Sequence, residues 1–460
     1  MKRRNFVSLF PAAALAAPSE SPLARQYRET AGRLIGSALT DETGWQRLEY
    51  LCDRIGHRLS GSPQMMQSIR WAEAEMKRDG LDQVRTPKVM VPHWVRGSES
   101  AEMLAPVQVP LSLLGLGGSV ATPPEGIEAE AVCVRTFDEL DALGADRVKG
   151  RIVVFHPDWQ GYGRTVQYRG QGASRAARLG AVAALVRSMT GHSLRTPHTG
   201  AMNYAADAPK IPAAAISVED AAHIDRLTRN GVAVRLRLRM SAQTLPDAEG
   251  ANVIAQVTGS ERPEEIVVLG GHFDSWDVGQ GAHDDGAACV AAWHAVSLIR
   301  RLGLKPRRTV RVVLWANEEN GLRGGRAYRE MVGEEVKNHV AAIEMDSGCE
   351  RPTGYGLTIT GAAEEVTARA MGRLAGIGEL LDAIDAGSMT RGGGGADIGP
   401  LMREGVPGLG HKTVGEHYMD WHHTHADTLD KVDPRYFRQS VAALAVLSFV
   451  LADMPERLGA

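Results

Sequence analysis

The chain predicts an α/β fold: a mainly parallel mixed sheet with helices on both faces, carrying an inserted, β-rich α/β domain. Three observations predict it. After about residue 250, short apolar strands alternate with helical segments, the pattern of strands joined by covering helices. Between 117 and 245, a block keeps its own rhythm of strands and helices. Glycine contributes 51 of 460 residues, well above the roughly 7 % of an average chain, which marks many tight turns.

Composition bounds the function before any motif does. The apolar share is 43 % with no long polar tract, so disorder is excluded for most of the chain, and the length allows two or three cores. Lys+Arg number 52 and Asp+Glu 55, a balance of −3 that argues against binding nucleic acid or an anionic membrane surface. No window holds about 20 uninterrupted apolar residues, so no transmembrane helix is expected.

In chain order, residues 1–17 read as an export signal. Lys2, Arg3 and Arg4 precede an apolar run from Phe6 to Ala17 that ends in small residues, and Arg3-Arg4-Asn5-Phe6 resembles a twin-arginine motif. A secreted or periplasmic protein is expected. Residues 20–116 form the first part of the main domain. Trp45 to Gly80 reads as helices broken at Gly56-His57-Arg58-Leu59-Ser60-Gly61-Ser62, with Ile69, Ala72, Met76 and Leu81 on one apolar face. Pro110 to Pro124 reads as a crossover. In the insertion, strands are expected at Ala129–Arg135, Ile152–Phe155, Ala181–Val186, Ile211–Ile216 and Val232–Met240, with helices at Gln171–Leu179 and Val218–Leu227. The insertion has no cluster of His and carboxylates, so it is expected to cover a site without performing chemistry. Ser241–Gly250 reads as a polar linker, and residues 246–460 complete the main domain. Strands are expected at Asn252–Val257, Ile266–Leu269, Thr309–Trp315, Val340–Ile343 and Leu357–Thr360, with helices at Ala287–Leu302 and Val441–Leu451. Cys52, Cys133, Cys289 and Cys349 form no C-x-x-C pair, which excludes a Cys-based zinc site.

Ligands of such sheets bind beyond the carboxyl ends of the strands, and the chemistry-bearing residues fall there. Ile266–Leu269 runs through Gly270-Gly271, read as a sharp turn, into His272 and Asp274. Gly281-Ala282-His283-Asp284-Asp285-Gly286 opens the next helix; one aspartate can cap it while the other faces a cation, and spacing does not say which. Glu318-Glu319 follows the buried strand ending at Trp315. One glutamate can ligate a metal while the other serves as base. Asp346 ends a further apolar run, and His411, His417, His422, His423 and His425 put five of the 15 histidines within 15 residues. Oxygen and imidazole donors without thiolate suit zinc, with manganese or cobalt as alternatives. Five donors suit two ions about 3.5–4 Å apart, the chemistry of amide or ester hydrolysis.

These stretches resemble the two-zinc, aminopeptidase-type metallopeptidases (the zinc exopeptidase fold), most closely their carboxypeptidase Q branch with its protease-associated insertion. The run from Gly270 to Gly281, Asp284-Asp285-Gly286 and Glu318-Glu319 carry the resemblance. So do Asp346, Pro352-Thr353-Gly354, Gly395-Ala396-Asp397-Ile398, Gly405-Val406-Pro407-Gly408, the run from His422 to Thr428, and Gly56 to Ser62. The resemblance implies two zinc ions: His272 and Asp346 on one, Glu319 and His423 on the other, and Asp284 bridging. It implies Glu318 as general base, Asp274 as the partner of His272, and Tyr418 assisting the oxyanion. A peptide substrate and a homodimer are implied likewise. Relatives differ at His283, an extra imidazole that would compete for metal, and at Asp420, where they are aromatic and the substrate pocket is expected to differ. The same fold also admits a catalytically silent, receptor-like binding protein or a single-zinc, cyclase-like acyl-transfer enzyme. All five donors and the base are present, which favours the exopeptidase.

Overall fold

A computed structural model describes residues 20–460, so the export signal expected over 1–17 lies outside the described residues. The main sheet has eight strands: β1 (Asp82–Arg85), β2 (Val253–Val257), β3 (Arg262–His272), β4 (Arg308–Trp315), β5 (His339–Glu344), β6 (Pro352–Thr358), β7 (Ser388–Arg391) and β8 (Gly408–Thr413). Their order is β1-β2-β4-β3-β5-β8-β6-β7. The central run β4-β3-β5-β8 is parallel; β1, β2 and the β8–β6 pairing are antiparallel. The centre is parallel where the sequence is most uniformly apolar, and β4 and β5 are buried along their whole length.

Alternate residues of β3 serve opposite cores, as a period-2 strand must. Val267 and Leu269 pack with helices Ala287–Arg301 and Pro434–Asp453. Ile266 and Val268 pack with Tyr328 and Val332 of helix Arg323–Val332. Helix Pro434–Asp453 is long and apolar enough to cross a bilayer by length and composition, yet every residue from Ser440 to Ala452 is buried in the core. Asp433 caps it through the Arg435 N–H, and Pro434 opens it.

The second sheet also has eight strands, in the order Val109–Leu111, Glu99–Ala105, Arg235–Met240, Ile127–Val134, Ile152–Phe155, Ala183–Arg187, Ala213–Ile216, Leu113–Gly115. The four from Ile127–Val134 to Ala213–Ile216 are parallel. This sheet reaches N-terminally past residue 117, because Ala101, Met103 and Leu111 share a core with Ala129 and Leu236. Two expectations need correcting. Pro110–Pro124 is not a bare crossover but carries strand Leu113–Gly115. Ser241–Gly250 is not a linker: Gln243–Ala251 is a strand antiparallel to Lys88–Val95, and its exposed first half offers no apolar alternation to read. Arg96 ties the two sheets together. Its guanidinium grips Asp277, after β3, at 2.6 and 2.9 Å, and donates to the Gly115 carbonyl and to Thr199 Oγ1 of the insertion.

Candidate metal centre

Every candidate donor sits beyond the carboxyl end of a strand or in the loop facing that edge. His272 is the last residue of β3, and its Nδ1–H donates to the Asp274 carbonyl at 3.0 Å. A carbonyl only accepts, so this bond fixes the tautomer and leaves the Nε2 lone pair free. Nε2 lies 3.1 Å from Asp284 Oδ1 and 3.5 Å from Asp346 Oδ1. On the other side, His423 Nε2 lies 3.2 Å from Asp284 Oδ2 and 3.0 Å from Glu319 Oε2, while its Nδ1 faces the Thr199 carbonyl of the insertion at 3.3 Å. The two oxygens of Asp284 therefore face two different imidazoles. Asp285, by contrast, turns back to accept the His272 backbone N–H at 3.0 Å, so the two adjacent aspartates divide their work. The loop that presents Asp284 is held by Asp427, which accepts the N–H groups of His283 and Asp284.

The donors fit zinc. Ligand atoms about 2.0–2.1 Å from a tetrahedral zinc lie roughly 3.3 Å from one another, and the contacts above span 3.0–3.5 Å. Asp284 Oδ2 and Glu319 Oε1 are buried without a hydrogen-bond partner, which is costly in a protein interior unless a cation takes them up. Charge points the same way. Burial and neighbouring carboxylates push Glu318 well above the usual range and Glu319 up to about 7. Positive charge among them would relieve both.

Glu318 and the donors line a cavity of about 700 Å³, together with Tyr418, Met419 and His422. The Glu318 N–H donates to Asp274 Oδ1 at 3.0 Å, and Ser60 Oγ donates to Asp274 Oδ2 at 3.1 Å. The Asp274 carboxylate thus positions Glu318; its backbone carbonyl, not its side chain, orients His272. That differs from the expected carboxylate–histidine pair, because Asp274 Oδ1 stands 3.9 Å from His272 Nδ1. His283 stands outside the two groups of clustered donors. Its Nδ1 accepts the Cys349 N–H at 3.0 Å and its ring lies against Tyr418 and Trp421. Asp420 lies outside the cavity lining and pairs with His192 and His417. Of the five clustered histidines, His422 and His423 reach the cavity, their rings stacked at 3.6 Å, and His422 Nε2 is 3.6 Å from Asp284 Oδ2. His411 is buried beside Tyr355. The sequence carried no signal for Tyr162 and Arg169, which reach the cavity from the insertion.

Carboxylates and imidazoles gathered at a sheet edge, with no thiolate among them, define a zinc-type metal site, and the relatives that share it make the class a zinc-dependent metallopeptidase. Residues 252–448 match the model of Peptidase family M28. Carboxypeptidase Q of Homo sapiens is 42 % identical over 90 % of this chain and 86 % of its own length; that of Xenopus laevis is 41 % identical over 94 % and 91 %. A crystal structure of a Peptidase M28 precursor from Shewanella amazonensis SB2B matches with a TM-score of 0.89 at 34 % identity, covering 94 % of this chain and 98 % of that one. A zinc aminopeptidase from Bacillus subtilis, 19 % identical with a TM-score of 0.67 over 90 % and 96 %, shares the fold. The chain belongs to peptidase family M28.

Proposed function

We propose that this chain is an exported exopeptidase that holds two zinc ions and hydrolyses dipeptides or short peptides, with Glu318 as general base. The observation that carries this reading is the divided carboxylate of Asp284, one oxygen facing His272 and the other His423. His272 and Asp346 would hold one ion, Glu319 and His423 the other, and Asp284 would join them. When bound, zinc polarises a carbonyl and makes water more acidic. The remaining work falls to side chains. Glu318 lines the cavity with its N–H fixed on Asp274, and its carboxylate would take a proton from water and return it to the leaving amine. Tyr418 lines the same wall and would donate toward the developing oxyanion. The insertion closes over the cavity through Tyr162, Arg169 and Met202, which favours short substrates. The basic and apolar start of the chain supports export, and the resemblance to the carboxypeptidase Q branch supports a homodimer.

Replacing Glu318 by Gln keeps shape and removes the base. Turnover of a dipeptide panel should fall by about 10²–10⁴-fold, with two zinc ions per chain retained by elemental analysis. Loss of zinc would move Glu318 into the ligand set; unchanged turnover would sink its role as base. An intact Met1 on the mature protein would end the export reading.

A further inference from the structure

Glu318 and Glu319 are consecutive, yet both line the cavity. An extended chain would not place them so, because neighbouring side chains of a strand point to opposite faces. The chain changes direction between the end of β4 at Trp315 and Glu318. Asn317 makes the change. Its φ is +66°, in the left-handed region that side chains rarely adopt and that Asn tolerates better than most. A turn over 318–321 follows, closed by the Gly321 N–H on the Glu318 carbonyl at 3.3 Å.

The Asn317 side chain does more than tolerate that backbone. It is fully buried, and its amide spends both N–H groups beside the site. Nδ2 donates to Ser60 Oγ at 3.1 Å and to Asn320 Oδ1 across the turn. Ser60 passes its own proton on, donating to Asp274 Oδ2 at 3.1 Å. The other oxygen of Asp274 accepts the Glu318 N–H at 3.0 Å. These bonds close a ring that leaves the chain at the Asn317 side chain and returns to it at the backbone of the next residue. Asn317, Ser60 and Asp274 are all buried, and they come from three separate segments of the chain. Gly321 makes room for the amide: a Cβ there would sit 2.1 Å from Asn317 Oδ1. Glycine at 317 would make the same turn without strain, so the turn alone does not call for asparagine. What the amide adds is the tie to Ser60 and Asn320.

We propose that Asn317 is a positioning residue for Glu318: its amide locks the turn so that the carboxyl of the base stays aimed into the cavity. The inference rests on the reading of Glu318 as general base and adds the residue that aims it. No atom of the ring is a proposed ligand atom or an oxygen of Glu318, so the amide acts on that carboxyl through position alone. Without the amide, Ser60 loses a donor, Asn320 is untied, and the turn loosens at the residue just before the base. Misplacing a catalytic group by about 1 Å costs on the order of 100-fold.

The test uses the zinc-loaded full chain and a dipeptide with both ends free. Asn317→Gly keeps the backbone turn and removes the amide. Its kcat should fall by about 10–100-fold, with KM nearly unchanged and zinc content equal to wild type. Asn317→Asp keeps the shape but has no N–H to give, and should resemble Asn317→Gly rather than wild type. The deciding readout is a double-mutant cycle. In a Glu318→Gln background, Asn317→Gly should cost almost nothing further, because no base is left to aim. General damage to the fold would cost the same in both backgrounds. Unchanged kcat in Asn317→Gly, or an equal loss with and without Glu318, overturns the proposal while the exopeptidase reading stands. Loss of zinc in Asn317→Gly overturns it too, since the amide would then secure Glu319 rather than aim Glu318. Wild-type turnover in Glu318→Gln would end the reading of Glu318 as base, and this proposal with it. If Asn317→Gly does not fold, Asn317→Asp and Ser60→Ala, which break the same ring, go through the same cycle and decide.

Discussion

Arg58 shows how far a single side chain can organise this edge. It is completely buried, and its guanidinium donates to the carbonyls of Gly56, Phe273, Gln280 and Gly281, at 2.8–3.0 Å. Three of those carbonyls belong to the loop between His272 and Asp284, and the Arg58 N–H adds a bond to Ser275 Oγ. The Gly56-to-Ser62 stretch, which the sequence marks as a break between helices and as part of the family resemblance, is thus a clamp on the loop that spaces two candidate ligands. Ser60, two residues on, reaches Asp274. Arg58→Met should keep most of the stem's packing but leave the carbonyls without donors. The expected destabilisation is at least about 1–3 kcal/mol by urea unfolding, the scale of buried hydrogen-bonding groups left unpaired, with faster zinc loss to a chelator. Unchanged zinc retention would show that the loop holds its shape unaided.

At the scale of the element, β3 explains its own glycines. From sequence, Gly270-Gly271 reads as a sharp turn, but the strand runs straight through to His272. Glycine is needed for close approach: a Cβ at Gly270 would sit 1.8 Å from the Val313 carbonyl oxygen of β4, and one at Gly271 would sit 2.2 Å from Asp285 Oδ2. Gly270→Ala should therefore cost at least about 1–3 kcal/mol through overpacking against backbone. Gly36→Ala in helix Pro22–Thr40, where a Cβ meets nothing within 4 Å, should gain up to about 1 kcal/mol. Thermal unfolding of the two variants should move in opposite directions, and a shift of the same sign in both would refute the contrast. The same comparison shows which elements can be read from sequence. Strands β3 and β4 and helix Ala287–Arg301 are legible because each contains a marked apolar run, Ile266–Leu269 in β3 and Val312–Trp315 in β4. Helix Pro22–Thr40 escapes notice because its buried face is Ala24, Tyr27, Ala31, Leu34 and Ala38, mostly alanine, which gives little contrast. Strand Gln243–Ala251 escapes because its stability comes from pairing rather than burial.

Across the whole molecule, the donors at the strand ends could be read locally, whereas Arg169, Tyr162 and Thr199 join them only once the insertion has folded over the sheet edge. No local pattern in helix Gln167–Arg178 announces that contact. Both parts of the molecule also bury histidines in neutral form: burial lowers His198 to about 3 in the insertion, and His339 and His411 to about 4 in the main sheet. Such a group stabilises the fold fully above the unfolded value near 6.5, and its contribution is lost as pH falls through about 4, since the unfolded chain binds the proton first. His339, at the opposite end of β5 from Asp346, isolates the effect. Its Nε2 accepts from the Tyr328 hydroxyl at 2.9 Å and its Nδ1–H donates to the Glu335 carbonyl, so a second proton breaks the first bond. His339→Gln removes the titration but leaves a side chain that can still accept from Tyr328. The stability gap between wild type and this variant should narrow by up to about 3 kcal/mol between pH 7 and pH 4. A gap that stays constant over that range, in urea titrations at fixed zinc, would show that His339 carries no proton-linked stability.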